Sequence, residues 1–156
     1  MDCEFVENKL KELGLVLPPA PQPVGAYVPM VVSGSWGFLS GQISKDAAGK
    51  VMTGCVGRDL NVEEGRKGAE LAALNALSIL KAHAGFGRVA RCVRLVGYVQ
   101  TERGFEAIPE VVNGASRIFL EVFGERGRHA RSAVGMAALP LNAAVEIELT
   151  VELADG

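Results

Sequence analysis

Hydrophobic and polar positions alternate most cleanly at the end of the chain. Val145, Ile147, Leu149, Val151 and Leu153 interleave with Glu146, Glu148, Thr150 and Glu152. That period of two predicts a strand over 145–153 with one apolar and one polar face. Arg91 to Thr101 is apolar on both faces, with Val93, Leu95 and Val99 on one and Cys92, Val96 and Tyr98 on the other. This is the pattern of a central strand. Ala26–Val32 and Trp36–Gln42 read as two further strands, joined at a Ser33-Gly34-Ser35 hairpin signal. Arg131–Ala137 reads as another.

A period near 3.6 marks the helices. Cys3–Leu13 carries Phe5, Val6, Leu10 and Leu13, and Gly14 ends the run. Asn61 with Glu64 three residues on has the form of a capping box, so a helix is expected to start there and run to about Ala84. Its stripe of Ala69, Ala72, Ala73, Ala76, Leu77 and Leu80 allows close approach to a sheet. His83 near its end suits the helix dipole as a cation. The third helix is expected over 105–123, with Pro109 in its first turn. After the N-terminal helix the order is β-β-α-β-α-β-β. With two helices on one face of a mixed sheet, the expected class is α+β, a two-layer sandwich. The sheet's other face then carries an apolar strip, and either packing of sheet on sheet between copies of the chain or a loop would cover it.

The chain's 156 residues suit one core. Residues 1–23 form a helix and a linker stiffened by Pro18, Pro19, Pro21 and Pro23, strapped onto a domain spanning 24–156. The hydrophobic fraction of 49% and mean hydropathy of +0.23 are high for so short a chain, which again points to apolar surface buried between subunits. A net charge of −2 gives no basic field for nucleic acid. No apolar run reaches membrane-span length, and the acidic start Met1-Asp2-Cys3-Glu4 is unlike a signal peptide. Cys3, Cys55 and Cys92 are scattered and form no CxxC pair, which fits a reducing cytoplasm. With two histidines, a metal site built mainly from imidazoles is not expected.

The chemical motifs are few. Gly85-Phe-Gly87-Arg-Val-Ala90 matches a dinucleotide fingerprint in spelling, but a helix precedes it and a strand follows, the reverse of what that motif needs. Neither a GxSxG elbow nor a Walker loop is present. His129, beside Arg131, reads either as part of a pocket lining or, by preference, as a solvated loop residue. Arg131 opens a strand of otherwise small and apolar residues. Its planar fork matches a carboxylate; the partner is either a bound ligand or the chain's own Glu146 or Glu148.

Several strings together change the picture. Ala130-Arg-Ser-Ala-Val-Gly135, Leu139-Pro140 and Val145-Glu-Ile-Glu148 follow Gly25-Ala-Tyr-Val-Pro29 and Ser40-Gly41-Gln42 in order. In this arrangement the chain from about Val24 onward resembles the RidA (YjgF) family. It is most similar to a branch with an extra N-terminal helix and strings here read as Leu60–Gly65, Val111–Ser116 and Gly127–Gly135. The resemblance implies a chorismate-mutase-like fold of the bacillus type and a homotrimer with clefts at the subunit interfaces. It also implies hydrolysis of enamines and imines such as 2-aminoacrylate to 2-keto acids and ammonia, without cofactor or metal.

Residue by residue, it implies that Arg131 holds the substrate carboxylate, Glu146 orients the water and Tyr27 stands at the cleft. Asn113 lies nearby, Gly41 lets backbone approach, and Ala133 replaces a frequent cysteine whose backbone contacts ligands. Gly135 and Ala138 depart from the glutamate and arginine that such deaminases often carry, which alters the cleft's shape and charge. Three functions follow: a deaminase, a non-catalytic binder or sensor of small carboxylates, and the ribonuclease or translation inhibitor sometimes attached to the family. The acidic balance and the two histidines count against the last.

Overall fold

A computed structural model describes residues 3–154. In chain order the elements are α1 (Cys3–Glu12), β1 (Met30–Ser33), β2 (Trp36–Leu39), β3 (Gln42–Ile43), α2 (Val62–His83), β4 (Val89–Gln100), α3 (Ile108–Phe123), β5 (Ala130–Met136) and β6 (Val145–Leu153). One mixed sheet runs β1-β2-β6-β4-β5, and β3 extends the pairing along β6 beyond β2. Only β4 and β5 pair in parallel. Helices α2 and α3 cover one face, and α1 packs against α3, burying Val6 and Leu10. The class is α+β, as the patterning predicts, and the arrangement is the chorismate-mutase-like one that the resemblance implies.

Local chemistry accounts for the helix ends. Asn61 Oδ1 accepts from Glu64 N–H at 2.9 Å and the Glu64 carboxylate accepts from Asn61 N–H at 2.8 Å, closing the expected box. Pro109 sits in the first turn of α3, where its missing N–H has no partner to lose. That helix starts three residues later than expected, because 102–105 closes a turn through Phe105 N–H to Glu102 O.

The first sheet edge also departs from expectation. The strand expected from Ala26 begins at Met30, because Pro29 has no N–H to give a ladder. The expected strand 36–42 breaks at Ser40-Gly41 into β2 and β3. Ser40 turns back to Val28 O through its hydroxyl and to Pro29 O through its N–H. Elsewhere the bounds shift by one or two residues, with register shifts near the start of β4.

Side-chain alternation sorts the sheet into two faces. Leu95, Gly97 and Val99 of β4 align with Leu149, Ile147 and Val145 of β6 and point to the helices. The opposite face carries Glu146, Glu148, Tyr98 and Val96, flanked by Val31, Trp36 and Phe38 at one edge and Val134 and Met136 at the other. Among the described residues no element covers it: Trp36 and Phe38 are 42% and 47% exposed.

The helices lie close because small residues face them. A Cβ on Gly97 would fall 2.5 Å from both methyls of Val112, and one on Gly114 would overlap Arg66 O. This spacing presents one flank of α3 to β5. Gly97→Ala is therefore expected to cost about 1–3 kcal/mol through overpacking. Urea unfolding checks it: the midpoint falls with the slope unchanged, and a wild-type midpoint contradicts this packing.

Candidate functional site

Strand β5 is the edge strand next to β4, and its register pairs Arg131 with Leu95 and Ala133 with Gly97. Arg131 and Ala133 therefore lie on the helix face. There α3 offers Asn113 and Ser116, one turn apart. Arg131 Nη1 donates to Asn113 Oδ1 at 2.7 Å and to Ser116 Oγ at 3.2 Å. Nη2 reaches Pro109 O at 3.5 Å, a long and weak contact. Every partner is neutral. Among the described residues Arg131 has no carboxylate partner, so the ion pair to Glu146 or Glu148 does not form. The half-buried guanidinium keeps its charge uncompensated, with Nε and part of Nη2 still open to a ligand.

His129 belongs to the same cluster. The expected solvated loop residue is instead half-buried and edge-on to Phe119. Its Nδ1 lies 2.6 Å from Gly127 O and its Nε2 3.0 Å from Ser116 Oγ. A carbonyl only accepts, so Nδ1 carries the proton and Nε2 accepts from the serine hydroxyl. Burial is the main cause that lowers the imidazole's pKa, and the Arg131 charge adds to it. The ring is thus neutral near pH 7.

The second cluster lies around Glu146. Its carboxylate sits over bare backbone at Gly41, where a Cβ would overlap a carboxylate oxygen. Burial, and then the charge of Glu148, raise its pKa above the ordinary carboxylate value. Tyr27 stands across a cleft of about 610 Å³, its hydroxyl accepting from Val24 N–H at 3.4 Å. Pro21, Pro23, Pro29, Ile43 and Leu141 supply apolar wall to this cleft, and Gln42, Lys45 and Asn75 supply polar groups. Asn75 gives both amide hydrogens to the carbonyls of Lys45 and Leu71. Its buried Oδ1 has no partner among the described residues.

The six residues singled out by sequence thus fall into two groups. Arg131, Asn113 and Ala133 come together on the helix side of β5. Glu146, Gly41 and Tyr27 come together on the other side of the sheet, two strands away. Within one chain they do not meet. Ser116 and Asn75 were missed as site residues, and for His129 the pocket reading was ranked below the loop reading. Ser116 had a signal, since it falls one helical turn after Asn113. Among the described residues no cluster of three or more His, Cys, Asp or Glu side chains is placed to hold a metal, and no helix is long and apolar enough to cross a membrane.

Comparison with known proteins adds a family. The sequence model described as "YjgF/chorismate_mutase-like, putative endoribonuclease" matches residues 7–153. Protein TCP17 of Trypanosoma cruzi is 45% identical over 150 residues, covering 95% of this chain and 94% of that protein. The 2-iminobutanoate/2-iminopropanoate deaminase of Dermatophagoides farinae is 31% identical over 135 residues, covering 86% and 91%. The crystal structure of protein Atu1372 from Agrobacterium tumefaciens superposes with a TM-score of 0.89 at 42% identity, covering 98% of this chain and 96% of that one. With the fold, the ordered motifs and these matches in agreement, the chain belongs to the YjgF/chorismate-mutase-like family.

Proposed function

We propose that the protein hydrolyses small 2-imino or 2-enamino acids to 2-keto acids and ammonia, at sites completed between the subunits of a homotrimer. The observation that carries this reading is Arg131: a half-buried guanidinium held on neutral oxygens alone, with its charge left for an anion. The deaminase name of the mite relative supports the reaction class. The uncovered apolar sheet face supports self-association. Placing the Arg131 cluster of one copy against the Glu146 cleft of the next would unite the two halves.

In that arrangement Arg131 takes the ligand carboxylate on its free edge, and Asn113 and the Ala133 backbone flank it. The imine carbon is already electrophilic, so orientation supplies much of the rate. Glu146 takes a proton from water as its oxygen bonds to the imine carbon. Tyr27 relays a proton towards the nitrogen. The carbinolamine then loses its C–N bond and releases ammonia and the keto acid. No electrons change hands, so the reaction needs no redox cofactor. The elevated pKa of Glu146 makes it a better base once ionised, and turnover falls as pH drops through that value.

Three measurements test this. Light scattering on a sizing column gives the mass of a trimer, and a monomer at micromolar concentration refutes the shared site. Calorimetry with 2-oxobutyrate shows Arg131→Lys weakened by about 1.5–3 kcal/mol, the value of a lost charge-assisted bond, whereas unchanged binding assigns Arg131 to structure alone. A coupled assay with freshly generated 2-iminobutyrate shows Glu146→Gln slowed about 100- to 10,000-fold with 2-oxobutyrate binding retained. A wild type no faster than buffer makes the protein a carboxylate binder instead.

A further inference from the structure

The deaminase reading uses Arg131 and Asn113 and leaves Ser116 and His129 idle. Yet the four side chains form one connected unit. Gly127 O receives the Nδ1–H of His129 at 2.6 Å, and His129 Nε2 receives the Ser116 hydroxyl at 3.0 Å. Ser116 Oγ in turn receives Arg131 Nη1 at 3.2 Å, and Asn113 Oδ1 receives the same nitrogen at 2.7 Å. With the ring neutral, the roles follow: the carbonyl only accepts, so Nδ1 carries the proton, and Nε2 is left to accept from the serine hydroxyl, while the guanidinium only donates.

These are the relations an activated serine needs: nucleophile bonded to base, base bonded to an orienting group, and donors beside the nucleophile. We propose that Ser116 is a nucleophile activated by His129, giving the protein an acyl-transfer activity towards small esters or thioesters, separate from imine hydrolysis. Ser116 Oγ attacks the acyl carbon while His129 Nε2 takes its proton. The carbonyl oxygen becomes an oxyanion beside two cationic or polar donors. Asn113 Nδ2 makes no hydrogen bond among the described residues, because the Arg131 contact holds the opposite end of that amide. The open edge of Arg131 is the second donor. The C–O or C–S bond to the leaving group then breaks, and His129 returns the proton to the leaving atom. Water repeats the sequence on the acyl-serine and releases a carboxylic acid.

Three features of the surroundings agree with this chemistry. His129 is held neutral near pH 7 by burial, so it can accept a proton. The hydrogen bond from Arg131 to Oγ favours the alkoxide that attack generates. Asn113 is exposed and Ser116 and His129 are half-buried, so the proposed approach to the serine is along the exposed Asn113 flank of α3.

A fluorophosphonate tests the assignment without any imine substrate, so its outcome is independent of the deaminase reading. Reaction forms an Oγ–P bond, expels fluoride and passes the serine proton to His129. The wild-type protein at pH 7.5 is expected to gain one adduct, mapped by peptide mass spectrometry to Ser116. Ser116→Ala should lose it, and His129→Gln should form it about 100-fold more slowly, the scale of a lost general base. p-Nitrophenyl acetate should acylate the same residue. A wild-type protein that forms no adduct, or forms it elsewhere, overturns the proposal whatever the variants do. Equal labelling rates in wild type and His129→Gln overturn it too.

Discussion

Side chains along a strand point alternately to opposite faces, and this single constraint arranges the chemistry of the protein. The registers β5–β4–β6 put Arg131 in line with Leu95 and Leu149, towards the helices. They put Glu146 in line with Tyr98 and Val134, away from them. No rotamer of either side chain crosses the sheet. A cation and a carboxylate that sequence motifs place fifteen positions apart are therefore kept from neutralising each other. One is left with neutral oxygens as partners, and the other is left over bare backbone with a raised affinity for protons. An ion pair inside the chain would have been the cheap way to satisfy Arg131, and the fold forbids it.

The same sheet supports the proposal that the site is completed between copies of the chain. Its helix face is filled to contact, with Gly97 admitting Val112, and the two helices above it meet where Gly114 admits the Arg66 backbone. Its other face carries exposed aromatic and aliphatic groups at both edges around a polar centre of Glu146 and Glu148. Burying that face between copies removes apolar area from water, at about 25 cal/mol for each Å². In the proposed assembly it would also bring a second chain's edge strand within reach of the Glu146 cleft. In this account, assembly and function share one cause.

Much of the fold was legible because its signals are local. The alternation from Val145 to Leu153 fixes β6 to the residue. The Asn61–Glu64 box fixes the start of α2, and Pro109 marks the first turn of α3. What was not legible depends on distant partners. The break at Ser40-Gly41 is set by Val28 and Pro29 across the hairpin. His129 looks like a loop residue until α3 brings Ser116 to its ring. Asn75 reads as one polar position on a helix, and only the fold brings the Lys45 carbonyl to it. Motif resemblance named Arg131, Asn113 and Ala133 of one cluster and Glu146, Gly41 and Tyr27 of the other. That they lie on opposite faces required strand register.

The most direct test of a site shared between subunits mixes two variants. Arg131→Ala and Glu146→Gln are each expected to be nearly inactive towards 2-iminobutyrate as pure proteins. Refolded together at equal amounts, random trimers with sites between neighbours place an intact Arg131 opposite an intact Glu146 in about a quarter of the sites. The account predicts recovery of roughly that share of wild-type turnover. A mixture no more active than its two parents would contradict it, because both residues would then have to act from the same chain.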